Sequence, residues 1–280
     1  MKLRSLVVIG LIFFGLGSVN AQYKVLDKPW VKENTPTRRV VPYTHVREAD
    51  VMWSRRVWRT IDLREKINHP LYYPIKPIAG RKSLFEIIKL GIEEGTLTAY
   101  DYEYDEFTVP LTKAEVSRGI LKTADLKKNF DEYGDEIPGS ADTTWVDIES
   151  DAISAYRLKE DWFFDRERSK MDVRILGICP VKLLFNDDGT VRGNDPMFWI
   201  YFPEARYVFA NYDVFNRQND AERRTFEDIF WKRMFNSYAY KKSNVYDRES
   251  KGFLKGIDVL LEADKIKNEL FVMEHDLWSY

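Results

Sequence analysis

Midway along this chain, apolar residues twice take up alternate positions, with a short polar stretch between the two runs. In Tyr156-Arg157-Leu158-Lys159-Glu160-Asp161-Trp162-Phe163-Phe164 the alternation is loose but sustained. Met171, Val173, Ile175, Gly177 and Cys179 repeat it after the polar residues 165–170. Successive side chains of a strand point to opposite faces, so two such runs fold together as an antiparallel hairpin with one buried face. Further strands are expected at Val181 to Phe185 and at Met197 to Phe202, with Asn186-Asp187-Asp188-Gly189 as a turn. The run Met197-Phe198-Trp199-Ile200-Tyr201-Phe202 is apolar on both faces and belongs in the interior of a sheet.

Helical signals flank this β-rich stretch. In residues 48–67 the apolar positions Val51, Met52, Trp53, Val57, Trp58, Ile61 and Ile67 lie close to helical spacing, with Arg55, Arg56 and Arg59 on the remaining surface. Asn68 and Pro70 would stop that helix. A second helix is expected from Ser83, three residues before Glu86 as in a capping box, through Leu84, Ile87, Ile88 and Ile92 to Gly95. Thr112 and Glu115 repeat the capping spacing before a shorter helix containing Gly119. The Tyr-rich residues 97–109 alternate loosely and suggest one or two strands, and the acidic residues 131–144, with Gly134, Pro138 and Gly139, a surface loop. Further on, Asn219 or Asp220 would cap a helix carrying Phe226, Ile229, Phe230, Trp231, Met234 and Phe235, apolar over more than one face and so expected inside. A last helix should run over about 257–278. The pattern predicts an α+β fold, a mainly antiparallel sheet flanked by helices, as a single globular domain over 48–280. Its first half should be helical, and its sheet should be followed by C-terminal helices.

Residues 1–21 read as a signal peptide. Lys2 and Arg4 precede an apolar run from Leu6 to Leu16, and Val19-Asn20-Ala21 supplies a cleavage site. The run is too short to span a bilayer comfortably, and no Cys follows it for lipidation. The expected product is an exported, soluble chain beginning at Gln22, and the loss of Lys2 and Arg4 takes the formal charge from −2 to −4. Residues 22–47, with Pro29, Pro36 and Pro42 and no periodic pattern, read as an extended N-terminal arm that orders only by docking. Residues 22–60 hold nine basic and four acidic side chains, whereas residues 93–167 hold eight basic and 20 acidic. Such unlike segments could attract one another between neighbouring copies, or be no more than solvated faces.

Little in the chain points to catalysis. One Cys and three His leave scant material for zinc sites, disulfides or Cys/His chemistry, and Cys179, in an apolar run, should be buried. Metalloprotease, phosphate-loop, dinucleotide-binding and serine-hydrolase motifs do not occur. Glu274-His275-Asp276 suits an exposed helix end, and Asp187-Asp188-Gly189 a hairpin turn rather than a calcium loop. No catalytic, metal or cofactor residue is nominated. The best interaction candidates are Trp53, Arg55, Arg56, Trp58 and Arg59, because Trp and Arg are the types most enriched at binding hot spots. Core tryptophans with solvated arginines would produce the same pattern. With abundant carboxylates and aromatics, binding of glycan or peptidoglycan is the alternative to a protein partner.

Several stretches carry a resemblance to a known family. Ala49-Asp50-Val51-Met52-Trp53-Ser54-Arg55-Arg56-Val57-Trp58-Arg59-Thr60-Ile61-Asp62-Leu63-Arg64-Glu65-Lys66-Ile67-Asn68 closely resembles the gliding-motility family GldN, called PorN in non-gliding relatives. Met171-Asp172-Val173-Arg174-Ile175-Leu176-Gly177-Ile178, Ala210-Asn211-Tyr212-Asp213-Val214-Phe215-Asn216 and Ser243-Asn244-Val245-Tyr246-Asp247-Arg248 are similar to it as well. The resemblance implies a non-enzymatic periplasmic component of the type IX secretion system of Bacteroidetes, with no cofactor. It also implies assembly into a ring with an outer-membrane lipoprotein, GldK or PorK, beneath the outer membrane, and contact with the periplasmic part of the motor protein GldM or PorM.

Overall fold

The computed structural model describes residues 39–78, 80–127, 142–186, 188–217, 219 and 221–277. The expected signal peptide, most of the arm, Asp220, Trp278 and residues 131–141 of the acidic stretch lie outside them. Strands run at β1 Val51–Asp62, β2 Ala99–Tyr100, β3 Lys122–Lys127, β4 Asp142–Asp147, β5 Ile153–Asp165 and β6 Lys170–Phe185. They continue at β7 Val191–Pro196, β8 Trp199–Tyr201, β9 Asp213–Val214, β10 Arg224–Thr225 and β11 Tyr238–Lys242. The helices are α1 His69–Tyr72, α2 Leu84–Glu94, α3 Lys113–Glu115, α4 Phe202–Phe209, α5 Phe226–Trp231 and α6 Ile257–Asp276.

The hairpin read from the alternating runs is the longest pairing in the molecule. β5 and β6 run antiparallel, with Leu158 opposite Ile178 and Trp162 opposite Val173, and a register shift at Lys159/Glu160 accounts for the looseness of the alternation. Around it grows a sheet of order β11-β1-β5-β6-β8-β2, every pair antiparallel, with β7 pairing the far end of β6. β3/β4 and β9/β10 form two small separate ribbons. β8 lies between β6 and β2 with Trp199 and Ile200 buried, as its two-faced apolar run requires.

One face of the sheet holds the main core. Ile61, Leu158, Ile175, Ile178 and Ile200 pack beneath Leu84, Ile87 and Ile88 of α2, Phe202 and Phe209 of α4, and Phe226 and Phe230 of α5. Each such fully buried side chain contributes about 1.5–3 kcal/mol. Toward the β1/β11 edge the cover is α6, where Ile266 and Leu270 meet Val57 and Ala239, with Trp53 and Trp162 beside them. The opposite face is aromatic: Trp58, Cys179, Trp199 and Tyr240 lie under Tyr102 and Phe107 of the 101–110 loop. Phe107 and Trp199 crowd Gly177 so closely that a Cβ there would come within 2.6 and 3.1 Å of them.

The structure corrects the helix expected over 48–67, and with it the helical first half. That segment is β1, a 12-residue strand paired with both β5 and β11. Val51, Trp53, Val57 and Ile61 also lie on alternate positions, but Arg55 and Arg59 between them disguise the strand period. Val51, Trp53, Val57, Trp58, Thr60 and Ile61 are the β-branched and aromatic types that fit a pleated surface. Within 97–109 only Ala99–Tyr100 is strand; Leu97 packs into the main core, and 101–109 belong to the covering loop. Residues 142–144 of the expected acidic loop begin β4. Phe202 opens α4, a helix the strand reading of 197–202 missed. The α5 cap is Thr225, not Asn219, and it forms a full capping box with Asp228. Thr112 and Glu115 form theirs as expected; at α2, Ser83 Oγ accepts from the Glu86 N–H and Gly95 closes the helix at φ 78°.

Candidate interaction site

β1 distributes the five candidate residues over both faces, because strand side chains alternate. On the α6 face, Trp53 and Arg55 sit side by side, the guanidinium 5.8 Å from the indole. They form one wall of an open groove of about 740 Å³, and Leu261, Asp264, Asn268, Glu269 and Val272 of α6, with Lys242 of β11, form much of the rest. Arg55 Nη1 donates to Glu269 Oε2 at 2.8 Å, and Lys242 Nζ donates to both Glu269 oxygens at 3.0 Å. Burial alone would raise the Glu269 pKa, but the hydrogen bonds and charge of Lys242, with Arg55 and Lys265, hold it below the usual carboxylate value. These pairs orient the groove wall and clip α6 to the sheet.

The other three candidates are engaged elsewhere. Arg59, on the same face, turns inward, its Nε and Nη2 donating at 2.8 Å to the Ser237 hydroxyl and carbonyl. Arg56 and Trp58 project from the opposite face. Arg56 makes a two-pronged bond to Asp161 at 2.7 and 2.9 Å, which raises its pKa further, and its side chain remains 41% exposed. Trp58 is buried and donates Nε1–H to Asp105 Oδ2 at 2.8 Å. Beside it Lys159, 2% exposed, reaches Asp105 Oδ1 at 3.3 Å and the Asp105 carbonyl at 2.5 Å. Burial pushes the Lys159 pKa down, although Asp105 opposes that. Trp58 is therefore a core residue that anchors the 101–110 loop.

Reasoning from the sequence missed α6 as a groove wall. The signal was present: α6 carries apolar residues on two opposite faces. Ala263, Ile266 and Leu270 are buried, whereas Leu260, Leu261, Phe271 and Val272 are all more than half exposed.

A second aromatic cluster holds the end of the arm. Tyr43 stacks on Trp231 with ring centroids 5.8 Å apart, and the guanidiniums of Arg206 and Arg174 lie 4.2 and 5.2 Å from its ring. Arg206 is buried, paired with Glu227 at 2.7 Å, and donates to the Val41 carbonyl; Arg174 donates to that of Thr44. Residues 39–47, the described part of the expected arm, are thus docked on the sheet domain.

Chemistry is sparse among the described residues. No group of three or more His, Cys, Asp or Glu is placed to hold a metal ion, and no helix is long and apolar enough to cross a membrane. Burial pushes the Cys179 thiol up to about 12, so it stays protonated and unreactive at neutral pH. The fold and groove together define an α+β protein with an exposed, mixed-charge concavity between β1 and α6. Its family is plain: residues 46–279 match the model described as gliding motility associated protein GldN, and the chain belongs to that family. A comparison with curated proteins found no match.

Proposed function

We propose that this chain is a non-enzymatic structural component of the type IX protein secretion and gliding machinery. In this reading it sits in the periplasm and associates with the outer membrane through a lipoprotein of the GldK or PorK type. The two assemble into a ring that meets the periplasmic part of a GldM- or PorM-type motor protein. Membership of the gliding-motility family over 46–279 carries the reading. The groove supports it, since a Trp-Arg wall facing carboxylates and lysines suits a protein surface better than a uniformly charged polymer. So does the charge division between 22–60 and 93–167, which favours head-to-tail contacts of the kind that close rings. Trp53 and Arg55 are the residues best placed for contact, with the exposed side of Arg56 next.

Affinity isolation of the protein from its own envelope tests this. The lipoprotein and the motor protein should accompany it, and raised salt should weaken the association. Light scattering that finds a salt-indifferent monomer, unaffected by added lipoprotein, would count decisively against assembly. Retention on purified peptidoglycan, lost on Trp53→Ala, would favour glycan binding instead.

A further inference from the structure

We infer that the groove takes an extended segment of a partner protein, which adds to the sheet as a strand beside β1 and turns basic side chains toward α6. The inference rests on reading the groove as a protein-binding surface and goes beyond it by fixing the form and charge of what binds. Its basis is the unequal pairing of β1. β5 accompanies that strand from Val51 to Asp62, whereas β11 pairs only with Val57 to Thr60. Just past that pairing, the Ser243 N–H donates to the Arg56 carbonyl. Backbone groups of successive residues face opposite edges of a strand, so those of Ser54 point to the same side as those of Arg56. Ser54 is exposed, and no described residue bonds its N–H or C=O there.

Hydrogen bonding selects the occupant. An open strand edge is a template for another strand, because a second backbone matches its donors and acceptors at strand spacing. Natural edges are blunted by proline or lysine, or are covered. Residues 51–55 contain neither proline nor lysine, Met52 is 66% exposed, and the one charge there, on Arg55, is paired with Glu269. The same stretch supplies Trp53 and Arg55 to the groove, along which α6 presents Leu261, Asp264, Asn268, Val272 and Asp276 at steps of three and four residues. A strand laid on this edge therefore enters the groove, and every second side chain meets α6. The charge of those side chains follows from what the groove already satisfies. Lys242, like Arg55, is paired with Glu269, and Lys265 with Glu262. Asp264 and Asp276 have no lysine or arginine partner among the described residues, and His275 lies 3.7 Å from Asp276. Asp276 also ends α6, where the helix dipole is negative, so lysine or arginine is favoured at the positions facing α6.

Ser54→Pro isolates the backbone contact. Proline removes the outward N–H but leaves the β5 pairing and the Trp53 and Arg55 side chains in place, and edge strands tolerate it. The probe is a capped peptide of alternating valine and lysine, Thr-Val-Lys-Val-Lys-Val-Thr, added to the full chain. It should bind saturably and slow exchange of the Ser54 amide proton at least about tenfold. Ser54→Pro should weaken binding at least about tenfold, and Ser54→Ala should leave it unchanged. The same peptide with glutamate for lysine should bind the parent less tightly, a difference that Asp264→Asn combined with Asp276→Asn should reduce. Circular dichroism checks each fold; if Ser54→Pro does not fold, protection of the Ser54 amide in the parent decides. A parent that binds neither peptide, a Ser54 amide left unprotected in the complex, or undiminished binding by folded Ser54→Pro would each overturn the inference. So would preference for the glutamate peptide. Protection of Ser54 in the chain without peptide would assign the edge to this chain or a second copy, and would overturn it too. The ring reading fails separately, if the parent recovers neither lipoprotein nor motor protein from its envelope.

Discussion

Gly177 is a residue whose identity is set by a side chain packed on it from the covering loop. It lies on β6 where Phe107 descends from the covering loop, and a Cβ would come within 2.6 Å of the Phe107 ring. Phe107 itself holds φ at 59°, a left-handed conformation uncommon outside glycine. Its ring also meets Tyr100 and Tyr201 edge-on, so it cannot give way freely. Gly177→Ala should therefore lift the 101–110 loop and cost about 1–3 kcal/mol, as overpacking does. Urea unfolding measures this, and a variant as stable as the parent would show that the loop yields without strain. The same loop supplies Asp105, which satisfies both the Trp58 indole and the buried Lys159. Breaking this polar pair from one side would leave an uncompensated charge in the aromatic layer.

Among the elements, β1 and residues 39–47 show how a segment is held by chain far away in sequence. β1 is flanked by β5 and β11, and its arginines are matched by Asp161, Ser237 and Glu269 from three different elements or loops. Residues 39–47 contain no helix or strand; what secures them is Tyr43 between Arg206, Arg174 and Trp231, with two guanidinium bonds to backbone carbonyls. A cation–π contact of this kind contributes about 0.5–2 kcal/mol. Tyr43→Ala should accordingly speed proteolytic cleavage within 39–47 while leaving the global unfolding midpoint nearly unchanged. A cleavage rate equal to the parent's would show that the carbonyl contacts alone secure the segment.

At the scale of the whole molecule, attachment of α6 couples stability to pH. Glu269 has a folded pKa below its ordinary 4.5, held there by Lys242 and Arg55 against the effect of burial. A depressed carboxylate pKa stabilises the fold above the unfolded value, and that contribution is lost as the pH falls through the folded value. Asp62, held low by its hydrogen bonds to Arg64, acts in the same direction. Stability should thus decline below about pH 4.5. Glu269→Gln should be less stable than the parent at neutral pH, and the gap should close in acid. Chemical unfolding across that range measures it, and a gap that stays constant would mean that the ion pairs contribute nothing to α6 docking.

Much of this architecture was legible locally. Alternation over 156–179 marked the β5/β6 hairpin, Thr112 with Glu115 marked a helix start, Gly95 a helix end, and the two-faced run around Trp199 an interior strand. Each of these rules works through contacts a few residues apart, or through a side chain's preference for one backbone shape. The stretches resembling the GldN family likewise pointed to the family to which the chain belongs. What tertiary structure alone decided was the fate of 48–67 and the make-up of the groove. Arg55 and Arg59 look like the polar side of a helix until Glu269, 214 positions away, and Ser237, 178 positions away, are brought beside them. Only then is the charge of Arg55 compensated and are the Arg59 donors satisfied, and the strand period of Val51, Trp53, Val57 and Ile61 prevails. The sequence alone determined which segments seek burial; the partners that let charged residues lie in a sheet came from distant parts of the chain, which only folding brings together.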